Sequence, residues 1–265
     1  MSLSEYLIGI NIFIYIIMNF YHLLIENNFT KVLITFGAKI NYLIADGQYF
    51  RFLTPIFIHI NLYHIAFNCL ALYIIGRDLE KIFGKKKFLI IYFLSGIIST
   101  IGSFIFNNSI SAGASGAIFG LLGCHLFLYL NYKNIYKKLY GNSFLVLIAI
   151  NIAFGFMNSR IDNVGHIGGL LAGLLIASIV DIKKYELLIK RQLLLAITVI
   201  SIFFISSWSI NSYQNSVDYY IYKAVTLTQT NQLIDAKNTV KKGIDEFPNN
   251  KSIKDLSNQL NRLNN

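Results

Sequence analysis

Apolar runs long enough to cross a bilayer recur along this chain, and nothing in the sequence constrains its fold more. A helix crossing a hydrocarbon core of about 30 Å needs about 20 mostly apolar residues, within roughly 17–25. Runs of this kind occupy 6–25, 52–75, 88–106, 113–131, 143–158, 164–180 and 192–210. Lipid leaves no backbone group hydrated, so each run is expected as a helix and the fold class as an all-α polytopic membrane bundle. The charged share agrees: 14% of 265 residues, where soluble domains carry about a quarter. The net charge of +10 would suit nucleic acid or an anionic membrane surface. Lys and Arg sit mostly in short loops between apolar runs, so a membrane is expected and no nucleic-acid partner.

Loop charges orient the bundle by the positive-inside rule. Loop 76–87 carries Arg77, Lys81, Lys85, Lys86 and Lys87; loop 132–142 carries Lys133, Lys137 and Lys138; 181–191 carries Lys183, Lys184, Lys190 and Arg191. The alternate loops hold only Lys31, Lys39, Arg51 and Arg160. A cytoplasmic N-terminus follows, with 107–112 outside and Trp208 a plausible outer interfacial anchor. The first run lacks a basic flank and a small-residue cleavage site, so it reads as a retained helix rather than a signal peptide. The segment 26–51 mixes apolar residues with few charges and is expected to lie in the interface. Cys69 and Cys124 stand in apolar runs, as small unpaired core residues.

Polar groups inside such helices are costly and are functional hypotheses by default. The second run holds His59, Asn61, His64 and Asn68; the fourth opens with Gly113-Ala114-Ser115-Gly116 and continues to Phe119 and Gly120. The sixth opens with Asn163-Val164-Gly165-His166-Ile167-Gly168-Gly169, with Gly173 following. Ser115 lies 18 residues before Lys133, and His166 lies 17 before Lys183. At about 1.5 Å per residue both sit about 26–27 Å from the cytoplasmic boundary, just under the outer surface. His64 and Asn68 share a helix face and come near that level. Gly165, Gly169 and Gly173, like Ala112, Gly116 and Gly120, recur every four residues. Stripes of small residues let two membrane helices touch closely, which would bring Ser115 to His166.

A serine hydroxyl attacks a carbonyl only when an adjacent base accepts its proton. His166 is the natural base and the later acid for the leaving amine. No Asp or Glu lies in helices two, four, five or six, so a dyad is expected, with Asn163 and packing orienting the ring. Asn68, His64 and the backbone N–H of Ser115 are candidate oxyanion donors. A soluble-hydrolase nucleophile elbow would read G-x-S-x-G, and position 117 is alanine.

These motifs resemble the rhomboid intramembrane serine proteases: Gly113-Ala114-Ser115-Gly116, Gly165-His166-Ile167-Gly168-Gly169 with Gly173, and His59 to Asn68 with His64 between. Phe50-Arg51 resembles the aromatic–arginine signature of their first outer loop. The resemblance covers roughly 1–185 and implies a six-helix catalytic bundle. Its Ser115–His166 dyad would face a water-filled cavity open to the outside. It implies cleavage of single-span proteins near the outer end of their transmembrane helix, often after a small residue. It puts the oxyanion role on His64 and Asn68, with Gly113 in the entering loop. Gly116, Phe119, Asn163, Gly169, Gly173 and Arg51 would be structural near the site. Phe119 stands where the family usually has tyrosine, keeping a stacking face and losing a hydroxyl. Inactive relatives lack the serine or histidine; this chain keeps both.

Rival readings are weaker. His59 is either part of the polar network or a satisfied helix histidine. A zinc site from His59, His64 and His166 has poor spacing and no carboxylate, so no metal and no cofactor are expected. His125 reads as packing, and Asn151 as an interhelical hydrogen-bonding group. A transporter would show repeats or buried charge at the midplane. A catalytically silent binder of membrane-protein clients is the alternative function.

After Ser212 the character turns polar. Residues 216–229, 232–247 and 251–263 read as amphipathic helices, with breaks at Asn231 and Pro248-Asn249-Asn250. Lys223 to Leu227, Ala236, Gly243 and Phe247-Pro248 resemble a tetratricopeptide repeat, and one repeat buries little alone. The expected divisions are 1–185, the rhomboid-like bundle; 186–212, a seventh transmembrane helix; and 213–265, a helical extracytoplasmic tail and candidate protein-docking element. Partners are then the lipid bilayer and transmembrane protein substrates. Richness in Ile, Asn, Lys and Tyr suggests an AT-rich genome and a bacterial plasma membrane.

Overall fold

The computed structural model describes residues 2–158, 161–180 and 188–262. Arg160, Lys183, Lys184, the side chains of Lys190 and Arg191, and the expected boundary at 185 lie outside the described residues. Helix α1 (Leu3–Leu24) starts on a capping box in which Ser2 and Glu5 satisfy each other's backbone N–H. The next donors, the N–H groups of Leu3 and Ser4, go to the Glu80 carboxylate at 2.9 and 3.1 Å.

The segment after α1 folds against it. Helices α2 (Phe29–Phe36) and α3 (Asn41–Ala45) and two tight turns, Tyr49–Phe52 and Thr54–Phe57, pack Val32, Leu33, Ala38 and Ile58 around Met18. Arg51 is 4% exposed and ties this segment together. Its guanidinium donates to the carbonyls of Ala38 and Ile34, both at 2.8 Å, and to Gln48 Oε1 at 2.7 Å.

The second run is helical only from Leu62. Pro55 sits in a turn, and Asn61 caps α4 (Leu62–Ala71) by accepting the His64 N–H at 2.9 Å. His59 and Asn61 therefore precede the helix. A wide turn at Leu72–Gly76 carries α4 into α5 (Arg77–Phe83). Next come α6 (Lys85–Phe106), α7 (Ser115–Asn131), α8 (Lys133–Tyr140), α9 (Ser143–Met157), α10 (Asn163–Val180) and α11 (Leu188–Gln214). Each expected apolar run holds a helix. Among the described residues α1, α6, α10 and Leu193–Gln214 are long and apolar enough to span, and α8 with α9 makes a pair bent by 79°. Asn151 in α9 bonds back to the Leu147 carbonyl at 2.8 Å. Among the described residues it makes no interhelical bond, contrary to expectation, because its amide reaches its own preceding turn.

Helix α7 is the centre, buried around most of its circumference. Its 17 residues extend about 26 Å, short of a hydrocarbon core of about 30 Å. The irregular loop 107–114 joins α6 to its first turn. The α7–α10 contact is backbone to backbone. A Cβ on Gly169 would strike the Gly116 carbonyl, one on Gly173 the Gly120 carbonyl, and one on Gly123 the Leu170 carbonyl. Ala112 stands apart from this seam, while the Gly165 carbonyl lies 4.0 Å from where a Gly116 Cβ would sit. Gly165 faces Ser99 and Asp162, and Ala112 lies in the entering loop. Ser95 and Ser99 of α6 sit over Gly120 and Gly116, so a third helix closes the junction.

Helices α12 (Val217–Gln229), α13 (Leu233–Glu246) and α14 (Lys251–Arg262) bury Ala224, Ala236, Val240, Ile253 and Leu260 together. This unit rests on the Ser115 end of the bundle. Asp46 accepts from Tyr219 Oη at 2.6 Å and Lys223 Nζ at 2.7 Å, and Asn108 donates to Asp218 at 3.1 Å.

Candidate functional site

Ser115 is the first residue of α7, where the amides of a helix's opening turn have no partner within the helix and the dipole's positive end lies. His166 stands in the first turn of α10. Its Nε2 lies 2.8 Å from Ser115 Oγ, the reach a nucleophile and its base require. Phe119, one turn below Ser115, stacks on the imidazole with ring centroids 4.2 Å apart and planes 11° apart. The stacking expected of this aromatic is present without a hydroxyl.

Gly113 takes a φ of +131°, a backbone conformation that side chains rarely adopt, and its N–H donates to the Pro55 carbonyl at 2.9 Å. A Cβ there would overlap the His64 ring at 2.6 Å while lying 3.5 Å from Ser115 Oγ. The glycine thus lets His64 and Ser115 face one another across the entering loop. His59, fully buried, packs edge to face on His64 at 5.1 Å, so it stands against the candidate oxyanion donor from outside α4.

Asn68 donates through Nδ2 to the His64 carbonyl at 2.7 Å, leaving one N–H of that amide uncommitted. Arg51 belongs to the turns after α3 and touches none of Ser115, His166 or Phe119 through the bonds it makes. Asn163 opens α10, its amide oxygen against Gly155. Its neighbour Asp162 is tied to the same turn. Asp162 Oδ1 accepts the Gly165 N–H at 3.1 Å and the Asp162 carbonyl accepts the His166 N–H at 3.0 Å, fixing the turn that carries the imidazole. Ser99 Oγ donates to the Gly165 carbonyl at 2.7 Å. Neither Asp162 nor Ser99 stood out as a site residue in the sequence. An Asp directly before an apolar helical run is nevertheless a cap signal.

His125 packs against Phe144 with centroids 3.7 Å apart and meets Tyr136 Oη at 3.3 Å, a packing residue as expected. Cys69 and Cys124 are unpaired.

The chain as a whole has relatives among known proteins. The chain matches the family model of the Rhomboid domain over residues 46–182, and it is 31% identical over 225 residues to rhomboid protease AarA of Providencia stuartii, covering 73% of this chain and 79% of AarA. The chain belongs to the rhomboid family. Rhomboid protease GluP of Bacillus subtilis is 46% identical over 164 residues, covering 62% of this chain and 32% of GluP. Rhomboid-like protease 2 of Toxoplasma gondii is 36% identical over 149 residues, covering 54% and 52%. The chain therefore spans only about a third to a half of the length of these last two relatives. With its apolar helices, this family member is an integral membrane protein and an all-α polytopic bundle.

Proposed function

We infer that this rhomboid-family chain is an intramembrane serine endopeptidase using a Ser115–His166 dyad. The observation that carries the reading is the 2.8 Å approach of His166 Nε2 to Ser115 Oγ at the start of a central helix. In this reading the imidazole takes the hydroxyl proton as Oγ bonds to the scissile carbonyl carbon. The tetrahedral oxyanion meets the Ser115 N–H, the free Asn68 N–H and the His64 ring. His166 then passes its proton to the amine nitrogen as the C–N bond breaks, leaving an acyl-serine. Water, deprotonated by His166, releases the acid and restores the hydroxyl.

The substrates are single-span membrane proteins, cut near the end of their helix that lies level with Ser115. Lysine-rich 76–87 and 132–142 support a cytoplasmic N-terminus in a bacterial plasma membrane, with Ser115 and the tail on the outer side. The tail, 213–265, is a candidate docking element for a protein partner beyond the bundle of 1–185 and the helix of 186–212.

Reconstituted wild-type protein is expected to cleave a model single-span substrate, and Ser115→Ala or His166→Ala to leave it intact while staying folded. A silent binder would retain the substrate without cutting it. Turnover by His166→Ala would transfer the base role to another group.

A further inference from the structure

The segments leading to Ser115 and His166 are joined a second time, away from the reacting atoms. Ser111 lies four residues before Ser115, and Asp162 four before His166. Ser111 Oγ donates to Asp162 Oδ2 at 2.8 Å, matching the separation of Ser115 Oγ from His166 Nε2. Two rungs therefore connect the start of α7 with the start of α10. The outer rung is itself braced. Asp162 Oδ1 holds the Gly165 N–H and, at 3.3 Å, the Asn107 amide.

Behind Ser111, the Lys39 and Ser111 backbones exchange N–H to carbonyl bonds in both directions, at 2.9 and 3.1 Å. The fully buried Lys39 side chain donates to the carbonyls of Asn107 and Ser109. Burial works to raise the Asp162 pKa. The Ser103 and Ser111 hydroxyls and the Gly165 N–H, with Lys39 nearby, outweigh it and hold the carboxyl below its usual range. An ionised acceptor makes the stronger bond.

We propose that Asp162 is a positioning residue for proton transfer, which through Ser111 sets the register in which His166 meets Ser115. It touches no reacting atom, and this role rests on the Ser115–His166 reading. Helix capping alone would make Asp162 important for folding only. Positioning makes it important for rate, because a displacement of about 1 Å between nucleophile and base can cost about 100-fold.

The test uses the full chain in liposomes, with Asp162→Asn, Ser111→Ala, both together, and Ser111→Thr. The readouts are substrate cleavage, fluorophosphonate labelling of Ser115 and thermal midpoint. Expected is a fall in kcat of about 10- to 100-fold for Asp162→Asn and for Ser111→Ala with KM unchanged, and slower labelling in parallel. The double variant should be no slower than the slower single, since each lacks the same charge-assisted bond between Ser111 and the Asp162 carboxylate, and Ser111→Thr should restore most of the rate. Wild-type kcat in folded Asp162→Asn overturns the proposal. So does a lowered midpoint with unchanged kcat per labelled serine, which reduces Asp162 to a helix cap. With Ser115→Ala inactive, either result leaves the dyad standing; turnover by Ser115→Ala would bring down the dyad and this role together.

Discussion

His166 is held from three directions: Ser115 at its edge, Phe119 across its face, and Asp162 through the backbone beneath it. The Ser115 contact could be anticipated from the glycine spacing, which promised close helices, and the Phe119 stacking was implied by the rhomboid resemblance. Asp162 escaped because it stands outside the apolar run, where an acid carries no desolvation signal. Lys39 escaped similarly: a loop lysine reads as a solvated charge until the fold closes over it. Its burial has a measurable consequence. Desolvation lowers its pKa from 10.5 to about 7, against the pull of Asp162. Between about pH 7 and 10.5 the unfolded chain therefore binds the extra proton, and the folded state gains stability as pH rises through that window. Below pH 7 the gain is absent. In thermal unfolding of the detergent-solubilised protein, the wild-type midpoint should climb across this range relative to Lys39→Met. Parallel profiles would show that Lys39 titrates normally.

At the scale of elements, the close pairing of α7 and α10 rests on absent side chains. The Gly173 Cβ position falls on the Gly120 carbonyl, so Gly173→Val must push the two helices apart. Overpacking of this kind costs roughly 1–3 kcal/mol or more, and the serine–histidine distance widens with it. A lower thermal midpoint together with lost fluorophosphonate labelling is expected. Gly9→Ala in α1, where a Cβ meets nothing within 4 Å, should alter neither in that direction. Equal effects of the two variants would refute the close seam. The four-residue spacing announced this seam and even its residues Gly116, Gly120, Gly169 and Gly173. It also enrolled Ala112, since periodicity cannot tell where a helix begins: Ala112 lies before α7. The start of α4 was misplaced for the same reason. Apolar residues from Phe52 to Ile60 continue the hydropathy of the helix, while Pro55 and the Asn61 cap decide the backbone.

For the whole molecule, the Ser115 end of the bundle is the organising feature. A central helix of 17 residues begins at Ser115, and the entering loop, the first folded segment and the tail all gather at that end. The tail's three helices were legible from Asn231 and Pro248, which break the chain. Its seat on Asp46 was not, because a docking contact between distant surface residues leaves no periodic trace. The proposed proteolysis rests on one activated hydroxyl, and direct chemistry can find it. Wild-type protein treated with a fluorophosphonate probe and digested for mass spectrometry should carry one adduct, on Ser115, and His166→Ala should carry almost none. Absence of that adduct from folded wild-type protein, or equal labelling of Ser115→Ala, would contradict the dyad.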